Sequence, residues 1–186
     1  MLNLKRLLTL SALASAAMLA PITQAHAQLA GPVCMDGLAL PRFVSLQQDE
    51  VWMRSGPGIE HPRTHVFPSR RVPLEIINQQ GEWRQVRDPE GDTGWLHETD
   101  ISGSHLVIIR GGTASLVEDP LRSNIVVRTQ SGVVGDLHSC EGRHCRITVI
   151  DSVGKRFTGW VERRAVWGVH DWWPDQDPCL NVTPTR

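Results

Sequence analysis

Tyrosine is absent from the 186 residues, so three Phe and seven Trp supply every aromatic ring. Grooves that grip Pro-rich peptides through aromatic hydroxyls cannot be built in that form here. An excess of charge of one sign is missing as well: 19 basic residues stand against 20 acidic ones. That balance removes the electrostatic case for nucleic-acid binding. Lysine is nearly lacking; past Lys5, Lys155 is the only one, and the remaining cations are Arg. Helix-period apolar patterning is scarce. The catalytic signatures are missing too, with no Gly-x-Ser-x-Gly elbow, no His-Glu-x-x-His, and no Gly-rich phosphate loop ending in Lys. No enzyme is expected from such a chain.

What is present begins with an export pattern. Lys5 and Arg6 precede an uncharged Leu/Ala-rich run, Leu7 to Ala20, and Ala25-His26-Ala27 supplies the small-x-small cleavage pattern. The run is shorter than the roughly 20 residues a membrane span needs. Residues 1–27 are therefore expected to be a signal peptide cleaved near Ala27. The product is expected to be periplasmic or secreted, with no stable membrane insertion. Cleavage removes two basic residues and no acidic one, leaving a slightly acidic domain.

Four Cys in an exported chain imply up to two disulfides. Cys140 and Cys145 flank Glu141-Gly142-Arg143-His144, a hairpin-like spacing, whereas Cys34 and Cys179 lie near the two ends of the mature chain. The expected pairing is Cys140 with Cys145 and Cys34 with Cys179, although four Cys permit three connectivities. His138, Cys140, His144 and Cys145 also crowd together, but their spacing is not the usual one for zinc, and a disulfide would consume both thiolates. No metal and no cofactor is expected.

Short segments rich in Val, Ile and Trp, cut by Gly, Pro, Asp and Asn about every ten residues, predict an all-β chain of small barrel or sandwich type. The expected strands in the first half are 50–54, 72–78, 83–87 and 94–97; in the second they are 115–118, 125–128, 133–139, 146–150 and 158–162. The halves echo one another at offsets of 61 to 65 residues: Trp83-Arg84-Gln85-Val86 against His144-Cys145-Arg146-Ile147, and Gly94-Trp95-Leu96 against Gly159-Trp160-Val161.

Val51-Trp52-Met53-Arg54-Ser55-Gly56-Pro57-Gly58, a Trp-Arg-x-Val segment and Gly-Trp-Leu together resemble the bacterial SH3-like domain. The Cys-Glu-Gly-x-x-Cys hairpin at 140–145 and Trp167-Gly168-Val169 resemble the second copy of a tandem, exported form. The resemblance implies two small, bent antiparallel barrels, over residues 40–102 and 106–169, with 170–186 as a C-terminal strap or tail.

Strand alternation places Val51 and Met53 on one face and Trp52 and Arg54 on the other. Trp52 then either covers the gap between the two barrels or serves as a ligand platform, with Arg54 near enough to stack on it. Trp95 and Trp160 follow Gly and are expected in the core. Trp83, with no Trp counterpart in the second half, is the better groove candidate. Arg63, Arg70, Arg71, Arg84 and Arg87 lie among carboxylates, which suits a solvated mixed face or recognition of a carboxylate-bearing peptide.

The ligand-binding candidates are thus Trp52, Arg54, Trp83 and Arg84. The expected function is a non-enzymatic periplasmic module that holds a short peptide of an envelope protein or of the peptidoglycan stem. The alternative is a structural or assembly protein that docks on an envelope protein without binding the wall.

Overall fold

The computed structural model describes residues 33–35, 38–122 and 124–170. The expected signal peptide, the Cys34–Cys179 pairing and the 171–186 tail fall outside the described residues.

Among the described residues the chain is all-β apart from two 3-10 turns, Glu98–Asp100 and Arg163–Ala165. A small ribbon pairs β1 (Val33–Met35) with β2 (Leu38–Leu40). The next seven strands are β3 (Arg42–Leu46), β4 (Val51–Arg54), β5 (Arg63–Phe67), β6 (Pro73–Gln80), β7 (Trp83–Arg87), β8 (Thr93–His97) and β9 (Ile101–Ser102). They form one antiparallel sheet in the order β5-β4-β8-β7-β6-β3-β9. The last seven are β10 (Leu106–Ile109), β11 (Ala114–Val117), β12 (Ile125–Thr129), β13 (Val134–Glu141), β14 (His144–Ile150), β15 (Arg156–Glu162) and β16 (Val166–Trp167). Their order, β12-β11-β15-β14-β13-β10-β16, repeats the first sheet strand for strand.

Smaller features repeat with it. Thr64 and Val126 are each an extra residue in the strand beside β4 or β11, and Ile77 and His138 are extra in β6 and β13. Such bulges raise the local twist and bend the sheet over its own core. The β6–β7 and β13–β14 hairpins each turn through two residues, led by Gly81 (φ 57°) and Gly142 (φ 51°). A left-handed first turn position matches strand twist and favours Gly.

Each sheet closes on its own apolar cluster. Val44, Leu46, Val51, Met53, Leu74, Ile76, Val86 and Leu96 fill the first; Val107, Ile109, Leu116, Ile147, Val149 and Val161 fill the second. The second cluster also contains the disulfide between Cys140 and Cys145, which are cross-strand partners in β13 and β14.

Trp95 and Trp160 depart from expectation: both are half-buried, and Leu96 and Val161 are the core residues beside them. The preceding Gly does not make room for an indole. A Cβ at Gly94 would lie 2.4 Å from Met53 Cγ and 2.8 Å from the Arg54 carbonyl; one at Gly159 would lie 2.9 Å from the Val117 carbonyl. Each Gly lets a neighbouring strand, β4 or β11, cross close above it.

The two sheets meet through the outward side of β3 and β6. The Phe43 ring contacts Trp167 edge-on at 4.9 Å and His170 at 4.3 Å. Arg71 reaches Asp136 at 2.9 Å, and His170 lies 3.9 Å from Glu75. These residues, rather than Trp52, cover the junction.

Candidate functional site

The outward face of the first sheet carries a row of rings. In β4, Val51 and Met53 are buried, which turns Trp52 and Arg54 outward; Trp52 is 38% exposed. Arg54 is the cross-strand partner of Trp95, Trp95 of Gln85, and His97 of Trp83. Partners opposite one another in an antiparallel ladder project to the same side. Trp52, Trp95, His97 and Trp83 therefore share one face across β4, β8 and β7. The Trp83 and His97 rings meet edge-on at 5.4 Å.

The cation on Trp52 is Arg63, not Arg54. The Arg63 guanidinium carbon sits 5.1 Å from the Trp52 ring centroid, because the extra residue Thr64 brings Arg63 level with Arg54. Arg54 is spent on the chain itself: its Nη1 donates to the carbonyls of Ile59 (2.8 Å) and His61 (2.7 Å). That clamp fixes the 55–62 turn beside Trp52, so Arg54 positions the face instead of offering a free charge.

Arg84 lies elsewhere. It pairs with Leu96, a core residue, so alternation directs it to the inner side of the sheet, away from Trp83. Its guanidinium donates to Glu98 at 2.6 Å and to the carbonyls of Gly81 and Trp83. Together Arg84 and Glu98 wall a cavity of about 580 Å³ that is also lined by Arg42, Phe43, Ile101 and His105. The four candidates thus divide: Trp52, Arg54 and Trp83 share the outward face, and Arg84 faces a separate cavity. Trp95 and His97 join that face without having been singled out as ligand residues, although their period-two spacing carries the signal; Arg63, one of the arginines suited to a mixed face or to a carboxylate-bearing peptide, joins it as well.

Arg87 follows Trp83 and Gln85 on the outward side of β7, and its cross-strand partner Glu75, at the junction, is 7% exposed. Burial raises its carboxyl above the usual value of 4.5, and the Arg87 guanidinium, 2.9 Å away, partly opposes that shift.

Of the four residues with metal-binding chemistry, His138, Cys140 and Cys145 are otherwise engaged. The disulfide takes the thiolates of Cys140 and Cys145, and His138 Nε2 lies 2.7 Å from the Thr148 hydroxyl, which in turn meets Thr158 at 2.7 Å. Among the described residues no helix is long and apolar enough to cross a membrane.

Comparison with known proteins agrees with this geometry over part of the chain. No curated protein matches. The bacterial SH3 domain family matches residues 47–103, a stretch that contains β4 to β9 and every residue of the ring-bearing face.

Proposed function

We propose that this protein is an exported, non-enzymatic binding module that holds a short extended peptide on the outward face of its first sheet. The two sheets act as successive modules, over 40–102 and 106–169, with the first as the binding one. The observation that carries this reading is the exposed Trp52, capped by Arg63, standing in one row with Trp95, His97 and Trp83. The match of residues 47–103 to a family of binding domains supports it. Large rings give contact area at low conformational cost, and an Arg stacked on indole stays oriented for a carboxylate. The peptide would come from the peptidoglycan stem or from an envelope protein partner; nucleic acid is not a partner, and neither cofactor nor metal takes part.

Co-sedimentation with purified sacculi separates the sources. Wild type should pellet with sacculi, and Trp52→Ala should lose most of that binding while keeping its melting temperature. Failure of both proteins to pellet, with in-cell crosslinking from position 52 to one envelope protein, would favour the assembly role instead. Equal pelleting of the two proteins would remove the ring face from the account.

A further inference from the structure

We infer that the ring-bearing face selects a peptide by its two charged ends. Arg63 takes a carboxylate at one end of the row, Glu82 takes an ammonium at the other, and about four extended residues lie between them. The inference rests on the reading of that face as the peptide site and adds the direction and length of the ligand.

Most charge on this side of the sheet is already paired. Arg54 is bonded to the carbonyls of Ile59 and His61, and Arg87 to Glu75. Arg63 differs: it is exposed, it rests on the Trp52 ring, and it makes no ion pair among the described residues. Glu60, in the neighbouring turn, lies 3.5 Å from His61 instead. A guanidinium stacked on an indole keeps its edge N–H groups open to both oxygens of a carboxylate.

The open carboxylate stands at the other end. Glu82 follows Gly81 in the two-residue turn between Gln80 and Trp83, and its side chain is 75% exposed. His97 Nε2 lies 3.5 Å from Glu82 Oε2, which places the carboxylate on the outward side, next to the edge-on Trp83 and His97 rings. An ammonium seated there meets a carboxylate and an indole together, and both attract a cation.

The row between the two charges sets the length. From β5, which carries Arg63, to β7, which begins at Trp83, the sheet order is β5-β4-β8-β7. Three strand spacings make about 14 Å, the span of about four extended residues. Trp52, Trp95 and His97 supply contact along the way.

The fold does not impose these groups. In the second sheet the register puts Ile125 where Arg63 stands, Ser115 where Trp52 stands, and Arg143 in the turn position of Glu82. That face lacks all three, so the discrimination belongs to the first sheet.

Titration of the full chain, followed through its indole N–H signals, tests the assignment. The probes are tetra-alanine with both ends free, its N-acetyl and C-amide forms, and di-alanine. A blocked peptide with one Lys and one Glu side chain four positions apart stands for a segment of a protein. Tetra-alanine should move the Trp52, Trp83 and Trp95 indoles together, and each cap should weaken it roughly threefold to tenfold, as loss of one partly exposed charge pair does. Di-alanine, too short to reach both charges, should bind more weakly than tetra-alanine. Glu82→Gln should weaken only peptides with a free amine. Arg63→Gln should weaken only those with a free acid, and Arg63→Lys should restore most of that preference. The tighter of tetra-alanine and the blocked peptide identifies a short free peptide or a protein segment as the source. Equal affinity for free and capped tetra-alanine, or for the two lengths, with the three indoles still moving, would overturn this inference and leave the ring face standing. Equal weakening of free and capped peptides by both Gln variants would do the same. A Trp52 indole that stays still with every peptide would remove the ring-face reading, and this inference with it.

Discussion

Replacing Gly94 with Ala tests how the sheet is held where the ring-bearing face is assembled. Arg54 and Trp95 are the sole cross-strand partners between β4 and β8, and Gly94 lies directly below that contact. The added methyl would fall 2.4 Å from Met53 Cγ and 2.8 Å from the Arg54 carbonyl oxygen. Met53 is flexible and yields, but the carbonyl belongs to the strand, so relief requires β4 to move. Overpacking of this kind costs about 1–3 kcal/mol, and each kcal/mol lowers the melting temperature of a small domain by about 4–8 °C. Gly103→Ala is the matched control, because an added Cβ there meets nothing within 4 Å and the backbone is not in the left-handed region. Denaturant unfolding of both variants should show a loss of roughly 1–3 kcal/mol for Gly94→Ala and a change within about 0.5 kcal/mol for the control. Equal stability of Gly94→Ala and wild type would refute the claim that Gly94 exists to admit β4.

Three further outcomes follow from the same geometry. Arg54→Ala removes two charge-assisted bonds to the 55–62 turn and should cost about 2 kcal/mol, with faster amide exchange confined to that turn. Replacing Cys140 and Cys145 together with Ser opens a very short loop, so the chain-entropy account predicts a loss of about 2 kcal/mol; amide exchange should place it in the second core and leave the first unchanged. Glu75 has a folded pKa raised above 4.5, so the native state holds its proton more tightly than the unfolded state does. Its contribution therefore falls as pH rises from about 4.5 through the folded value, and Glu75→Gln should flatten that part of a stability-against-pH curve measured by denaturant unfolding.

Strands with one face in water were the legible ones. Val51-Trp52-Met53-Arg54 alternates cleanly, and 83–87 forms over the residues that its pattern predicts. β3 and β10 escaped because neither alternates: β3 has Phe43 and Ser45 against the junction, and β10 is the unbroken run Leu-Val-Ile-Ile. β5 escaped for the opposite reason, being an edge strand, Arg-Thr-His-Val-Phe, that is mostly exposed. The Cys140–Cys145 link was legible from hairpin spacing alone. The roles of Arg54 and Arg84 were not, since their partners are carbonyls at Ile59 and His61 and a carboxylate in the 3-10 turn that follows β8. Nor was Arg63 on Trp52, which depends on the bulge at Thr64.

The most direct test follows the indole N–H signals of the protein while muropeptides or a partner peptide are added. The account predicts that the Trp52, Trp83 and Trp95 indoles shift together and saturate at one ligand concentration, and that Trp160 and Trp167 stay in place. Shifts at Trp160 or Trp167 with Trp52 unmoved would contradict it.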